Sequence, residues 1–166
     1  MKLTMLRGLP ASGKSTFARK TVEDTGNSLR INRDDLRAMC FNSKWTGKRE
    51  GFIKKAERAL AKLGVEEGYN PIIDDTNLPA GNRESWSNFA KELGVKFEMK
   101  EFNEDLPTLI GRDSNRDNPV GPGAIMNMAL RGGYITFLVN FIICDIDGTV
   151  ADLSHRLRHI QADLAP

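Results

Sequence analysis

Gly8-Leu9-Pro10-Ala11-Ser12-Gly13-Lys14-Ser15 satisfies the pattern Gly-x-x-x-x-Gly-Lys-Ser/Thr in full, and each part of it has a chemical reason. The glycines let backbone N–H groups turn inward and approach phosphate oxygens closely. A helix starting here directs its N-terminus at the same anion. Lys14 brings a point charge near the β and γ phosphates, and the Ser15 hydroxyl is a hard oxygen ligand for magnesium. The alternative, a chance match in a glycine turn, would not require a strand before the loop and a helix after it. Both are expected here, so the loop implies ATP with Mg2+ and phosphoryl transfer.

Three further groups could supply the acceptor side. Asn32-Arg33-Asp34-Asp35-Leu36-Arg37 holds two carboxylates, either of which could take the proton of an acceptor hydroxyl. Arg37 lies three residues beyond Asp34 and shares its helix face, where it could hold a neighbouring phosphate. The plainer reading is a helix cap with an i,i+3 ion pair. Asp74-Asp75-Thr76-Asn77 ends an apolar run, where P-loop proteins carry a carboxylate for magnesium. Strand alternation sends Asp74 and Asp75 to opposite sides, so one of them is expected to serve the site. Arg112 and Arg116 are four apart, beside a hinge-like stretch at 119–123. They could close over ATP as a lid and neutralise the transferring phosphoryl group; a solvated helix with internal ion pairs is the alternative. Lys54, Lys55, Arg58 and Lys62 read as a solvated basic face, with a nucleic-acid track as the other option. Trp45 and Trp86 read as core or rim rather than base-stacking groups. His155 and His159 read as surface residues.

Apolar runs alternate with helical periodicity through most of the chain. Strands are expected at 2–6, 29–32, 71–75, 95–102 and 137–145. Helices are expected at 14–23, 34–39, 49–65, 82–93, 105–116 and 124–131, with Asp105 and Gly94 as caps. The long helix at 49–65 is expected to bury Phe52, Ile53, Ala56, Leu60 and Leu63. Such alternation implies an α/β fold, a parallel sheet with helices on both faces. Ligands of such sheets sit at the carboxyl ends of the strands, where all three groups fall.

The 166 residues suit one domain with a short appendage, and 40% apolar content suffices for a core. Mixed charge at 28% argues against general disorder, and a net charge of +2 leaves a nucleic-acid partner to be decided by local residues. The apolar stretch 134–144, broken by Thr136 and Asn140, is too short to span a bilayer. The two cysteines, Cys40 and Cys144, read as reduced core residues rather than a disulfide. The expectation is a soluble cytoplasmic protein with no membrane partner; oligomeric state is not set by these features.

Together the residues resemble bacteriophage polynucleotide kinase-phosphatases. The resemblance is carried by Gly8-x-Pro10-x-Ser12-Gly13-Lys14-Ser15-Thr16, Ile31-Asn32-Arg33-Asp34-Asp35 with Arg37, Asp75-Thr76-Asn77-Leu78 and the Arg112/Arg116 segment. It implies an adenylate-kinase-like P-loop domain over 1–135 with an arginine-bearing lid. It also implies transfer of the ATP γ-phosphate to the 5′-hydroxyl end of DNA or RNA, single-stranded, in the repair of broken ends. A phage-encoded protein would act in the host cytoplasm. By matched position Asp34 is the general base, with Lys14 and Arg116 as the transition-state clamp. ATP contacts fall to Gly8, Ala11, Ser12, Gly13, Lys14, Ser15, Thr16, Arg112 and Arg116. The acceptor falls to Asp34, Asp35, Arg37 and Thr76, with Arg37 on its 3′-phosphate. Magnesium falls to Ser15 and Asp75.

Asp145-Ile146-Asp147-Gly148-Thr149 resembles the first motif of a haloacid-dehalogenase-type phosphatase, with Asp145 as nucleophile and Asp147 as acid and base. Residues 136–166 are therefore expected to be the truncated start of such a domain. The later motifs are absent, so this chain is expected to lack phosphatase activity, while the parent protein would remove 3′-phosphates. Two rival readings share the loop. A P-loop kinase of a small sugar or nucleoside has no need of Arg37 beside the base. A nucleotide-switched binding module has no need of Asp34.

Overall fold

A computed structural model describes residues 1–134. The Asp145/Asp147 motif and the strand expected at 137–145 lie outside the described residues.

Four strands form one parallel sheet in the order β2-β3-β1-β4. They are β1 (Lys2–Gly8), β2 (Ser28–Ile31), β3 (Asn70–Ile73) and β4 (Lys96–Phe102). Thr4 pairs with Ile72 of β3 on one side and Glu98 of β4 on the other, so β1 is central. Leu3 and Met5 face one layer, Leu6 the other, and all three are fully buried. A strand covered on both faces reads as a continuous apolar run, as β1 does.

The helices are α1 (Lys14–Thr25), α2 (Arg33–Phe41), α3 (Gly47–Glu66), α4 (Ala80–Glu92), α5 (Leu106–Ser114) and α6 (Pro122–Arg131). Leu3, Met5, Ile31 and Ile73 pack against Leu36 of α2, Ile53 and Ala61 of α3, and Trp86 and Ala90 of α4. On the opposite face Leu6 and Ile72 pack against Ala18 of α1, with Phe17 and Phe102 at the margin. A separate cluster of Leu9, Leu78, Leu109, Ile125 and Ala129 joins α5 and α6 to the loops at the strand ends.

Local chemistry explains the boundaries. Asn32, Thr46 and Asp105 each accept a backbone N–H at a helix start, a cap of about 1 kcal/mol apiece. Gly94 follows α4 at φ 68°, the left-handed turn expected after a helix end. The helix expected at 34–39 runs longer, from Arg33 to Phe41, because Asn32 rather than an acidic residue is the cap.

Two expectations are corrected. Cys40 is exposed rather than in the core. On α3 the buried stripe is Ile53, Glu57, Ala61, Gly64 and Val65; Ile53 is buried as expected and Ala56 half-buried, while Phe52, Leu60 and Leu63 are exposed. The stripe is displaced round the helix from the expected one rather than reversed. Gly64 sits on the inner face because a Cβ there would meet Leu29 Cδ2 at 2.8 Å. No helix among the described residues is long and apolar enough to cross a membrane.

Candidate active site

β1 delivers the chain to the phosphate loop at Gly8. The Gly8 N–H donates to the Thr76 carbonyl at 3.1 Å. A Cβ on Gly8 would lie 2.8 Å from Ser12 Oγ and 2.9 Å from the Phe102 carbonyl oxygen, which leaves room for glycine only. Ala11 is held at φ 60° and Gly13 at 91°, which turns the loop back on itself. For alanine the left-handed region costs about 1–2 kcal/mol. Gly13 also occupies the cap position of α1 and offers no side chain to its first N–H groups. Those donors, with the helix dipole, face a site suited to an anion.

Lys14 is buried, and its ammonium donates to the Leu9 carbonyl at 2.6 Å and to Ser12 Oγ at 3.2 Å. Burial draws its pKa down from 10.5 to about 8; Asp74 pushes it back up, Arg116 lowers it, and Asp75 raises it. A phosphate beside Lys14 would favour the charged form.

Two cavities open on this residue. One, of about 750 Å3, is lined by the loop from Ala11 through Thr16, by Phe17 and Phe102, and by Arg112 and Arg116. The other, of about 370 Å3, is lined by Asn32, Arg33, Asp34, Arg37, Asp74, Asp75 and Thr76. Ala11, Lys14, Ser15 and Arg116 line both. A group held in the first can therefore reach a group held in the second across Lys14 and Ser15, with Arg116 opposite.

The second cavity is organised by ion pairs. Ser15 Oγ donates to Asp74 Oδ1 at 3.2 Å, and Arg30 Nε donates to Asp74 Oδ2 at 2.6 Å. Asn32 Nδ2 donates to the Asp74 carbonyl, tying the end of β2 to that of β3. Burial pushes the Asp74 carboxyl above its ordinary range, against the pull of Arg30, Ser15 and Lys14. Asp75 turns the other way, accepting from Arg33 Nε at 2.8 Å and from the Arg33 N–H at 3.2 Å. The carboxylate hydrogen-bonded to the loop serine is thus Asp74, where the resemblance implies Asp75. Strand alternation separates the two, and Asp74 is the one on the side of α1.

Asp34 projects into the cavity mouth with its side chain 81% exposed and paired to Arg37. Arg37 Nε also donates to Glu50 Oε2 of α3 at 2.9 Å. Asp35 does not line the cavity; it pairs with Arg30 on the outer side of α2. The resemblance assigns Asp35 to the acceptor; here the Asn32 cap takes the Asp35 N–H, and the Asp35 carboxylate is turned to Arg30. Thr76 lines the cavity, held by its carbonyl to Gly8.

Arg112 lies in the last turn of α5, and Arg116 follows that helix. Arg116 is held by Asp113 Oδ1 at 3.2 Å, while Asp113 Oδ2 accepts the Gly121 N–H at 2.9 Å. Burial alone would raise the Asp113 pKa, but the N–H groups of Gly121 and Val120 and the Arg116 guanidinium hold it below its usual range. Asp113 is buried, unlike the solvated helix of the alternative reading, and its ion pair sets the position of Arg116. Sequence reading assigns no site role to Asn77, although it lies in a motif, and passes over Glu57. Asn77, at φ 47°, donates from Nδ2 to the Leu6 carbonyl at 2.8 Å and so fixes Thr76. Glu57 is buried behind Asp75 and Arg33, with Oε1 lacking a hydrogen-bond partner. Burial and the facing Asp75 carboxylate drive its pKa to about 9, against the pull of Arg33 and Arg58. Glu57 and Asp113 share one signal: each is a carboxylate four residues from an apolar residue on a buried stripe, Ile53 and Leu109 respectively.

The donor set suits magnesium. A hydroxyl and a carboxylate, both hard oxygens, stand together beside the phosphate loop, and Mg2+ takes one or two protein oxygens with phosphates and water completing the shell. Ser15 and Asp74 are the residues that would hold it. Among the described residues no cluster of three His, Cys, Asp or Glu forms an all-protein cage.

Comparison with known proteins agrees with this geometry. Residues 3–129 match the AAA domain family. The chain is 29% identical to a protein of Autographa californica nuclear polyhedrosis virus described as a bifunctional polynucleotide kinase/RNA ligase, over 90% of this chain and 25% of that protein. It is also 29% identical to the L-seryl-tRNA(Sec) kinase of Methanococcus maripaludis, over 76% of this chain and 50% of that one. The chain thus spans between a quarter and half of the length of these relatives. Among solved structures, the Pnkp1/Rnl/Hen1 RNA repair complex contains a chain with TM-score 0.71 and 31% identity, over 80% of this chain and 44% of that one. The APS kinase CysC of Mycobacterium tuberculosis shares the fold, with TM-score 0.56 and 20% identity, over 81% of this chain and 76% of that one. The chain belongs to the AAA domain family and has the fold of a P-loop kinase.

Proposed function

We propose, from that membership, that residues 1–135 transfer the γ-phosphate of ATP to the 5′-hydroxyl end of a DNA or RNA strand. The observation that carries the reading is the junction of two cavities at Lys14, Ser15 and Arg116, with Asp34 and Arg37 in the second. The relatives described as a polynucleotide kinase/RNA ligase and as part of an RNA repair complex support a nucleic-acid acceptor.

In this reading Gly8, Ala11, Ser12, Gly13 and Thr16 hold the triphosphate through the loop and the start of α1. Lys14 neutralises the β and γ phosphates. Mg2+, held by Ser15 and Asp74, would supply charge compensation at the phosphate oxygens. Asp34 takes the proton of the attacking hydroxyl, and Arg37 holds the phosphate on the 3′ side of the same nucleotide. Glu50 keeps Arg37 in place at 2.9 Å. When that phosphate draws Arg37 away from Asp34, the carboxylate is freed to accept a proton. Arg116, steadied by Asp113, faces the transferring group, and Arg112 reaches the outer phosphates. The chemistry is positioning plus charge, as phosphoryl transfer requires.

A second reading follows from the seryl-tRNA kinase relative: the acceptor would be a hydroxyl on an aminoacyl group rather than a strand end. One assay separates the two. Labelled ATP is offered with a 5′-hydroxyl oligonucleotide, a seryl-tRNA, a nucleoside and a sugar. The expected product is a 5′-labelled oligonucleotide. Label on seryl-tRNA, the nucleoside or the sugar, with none on the oligonucleotide, would reject the leading reading. Removal of 3′-phosphates by a longer parent protein, with Asp145 and Asp147 as its first motif, is a further proposal, tested by release of phosphate from a 3′-phosphorylated strand.

A further inference from the structure

We propose that the turn between α2 and α3, with the first turns of α3, is a platform for the nucleotides that follow the acceptor end. It would stack their bases and track their phosphates, so that the site takes a single-stranded polynucleotide in preference to a mononucleotide. The inference rests on the acceptor reading given above.

Large apolar side chains are left in solvent here: Met39 is 74% exposed, Trp45 66% and Phe52 53%. The other tryptophan, Trp86, is 4% exposed in the core. Phe52 is held by an aromatic contact. Phe41 meets Phe52 edge to face with centroids 5.6 Å apart, and the Arg49 guanidinium lies 5.1 Å over the Phe41 ring. Thr46 caps α3 through the Arg49 N–H at 3.2 Å, which holds Trp45 just ahead of the helix.

Charge selects the partner. Residues 39–55 carry five cations, Lys44, Lys48, Arg49, Lys54 and Lys55, against one carboxylate, Glu50. Glu50 is turned inward to Arg37 and Arg33, so the outward charge is positive. Lys48, Phe52 and Lys55 follow at four- and three-residue steps and share a face of α3. Aromatic faces interleaved with cations fit a flexible polyanion with exposed bases, which is single-stranded nucleic acid. The surface is also continuous with the acceptor cavity: Arg37 lines that cavity and donates to Glu50 in the first turn of α3.

The test compares two acceptors, a nucleoside 3′-monophosphate and a short single-stranded oligonucleotide, on the intact chain. For the oligonucleotide, Trp45→Ala should raise KM about tenfold with kcat unchanged, and Trp45→Phe should restore most of it. The mononucleotide KM should stay as in wild type for both variants. Lys48→Ala should flatten the dependence of oligonucleotide KM on salt. Equal change in both KM values, or none in either, would overturn the platform. So would loss of a concentration-dependent oligomer in Trp45→Ala without a KM effect, which would assign the patch to protein contact. Wild-type transfer to neither acceptor would strike the acceptor reading itself, and the platform with it.

Discussion

The two cavities that meet at Lys14 are built by different means. The phosphate cavity is built around a loop whose backbone sets its shape. Gly8 admits no side chain, Ala11 and Gly13 sit at positive φ, and α1 begins uncapped by any side chain. These features lie within eight consecutive residues, so local sequence specifies them. The acceptor cavity is lined largely by side chains from α2 and the end of β3, joined by ion pairs, with Glu50 of α3 behind them. Arg30 holds Asp74, Arg33 holds Asp75, and Arg37 holds both Asp34 and Glu50. Its geometry depends on which strand lies beside which. The first should respond to substitution as a unit, while the second should respond pair by pair.

The largest effect is expected in the phosphate cavity. Lys14→Ala removes the charge that both cavities share and should lower kcat about 10³-fold, measured by single-turnover transfer. Arg116→Ala removes a charge that approaches from the lid and is half exposed, so the loss should be smaller, about 10²-fold. Arg112→Ala should cost less again, since Arg112 lines only the outer cavity.

The aspartate pair tests the acceptor side. Asp74→Asn should weaken magnesium affinity about 10–100-fold, seen as an activity recovered by excess Mg2+. Asp75→Asn should leave the magnesium requirement unchanged and lower Tm, because it leaves Arg33 short of its nearest carboxylate. The reverse pattern would return the metal to Asp75.

The smallest effect concerns Glu57. Its folded pKa of about 9 lies above its ordinary 4.5. The folded state therefore holds a proton that the unfolded chain releases as pH rises through that window. Its contribution to stability is fullest below the ordinary value and is lost as pH climbs toward 9. Glu57→Gln, neutral at every pH, should flatten the fall of Tm across this window and raise Tm on its alkaline side by about 2–4 °C for each kcal/mol relieved. Melting curves at several pH values read this directly.

The comparison also explains what could be read in advance. The loop, the parallel sheet and the capped helices were legible because each is encoded within a few residues. Asp34 and Arg37 were legible as a pair, since three residues on a helix bring them together whatever else happens. The directions of Asp35 and Asp75 were not legible, because they depend on a cap at Asn32 and on which face of the sheet α1 covers. The face of α3 was misread because Phe52 and Leu63 outweigh Ala61 and Gly64 in any count of apolar size. Glu57 and Asp113 were missed for the opposite reason: a carboxylate looks like solvent unless the apolar stripe it interrupts is noticed.

In the proposed transfer Asp34 is the group that makes the second cavity reactive. Its most direct test is Asp34→Asn, with ATP affinity and transfer to a 5′-hydroxyl oligonucleotide measured on one preparation. ATP affinity should match wild type, since Asp34 lines only the acceptor cavity, while transfer should fall about 10²–10⁴-fold. Near-normal transfer would contradict the account, because the proton of the attacking hydroxyl would then leave by another route.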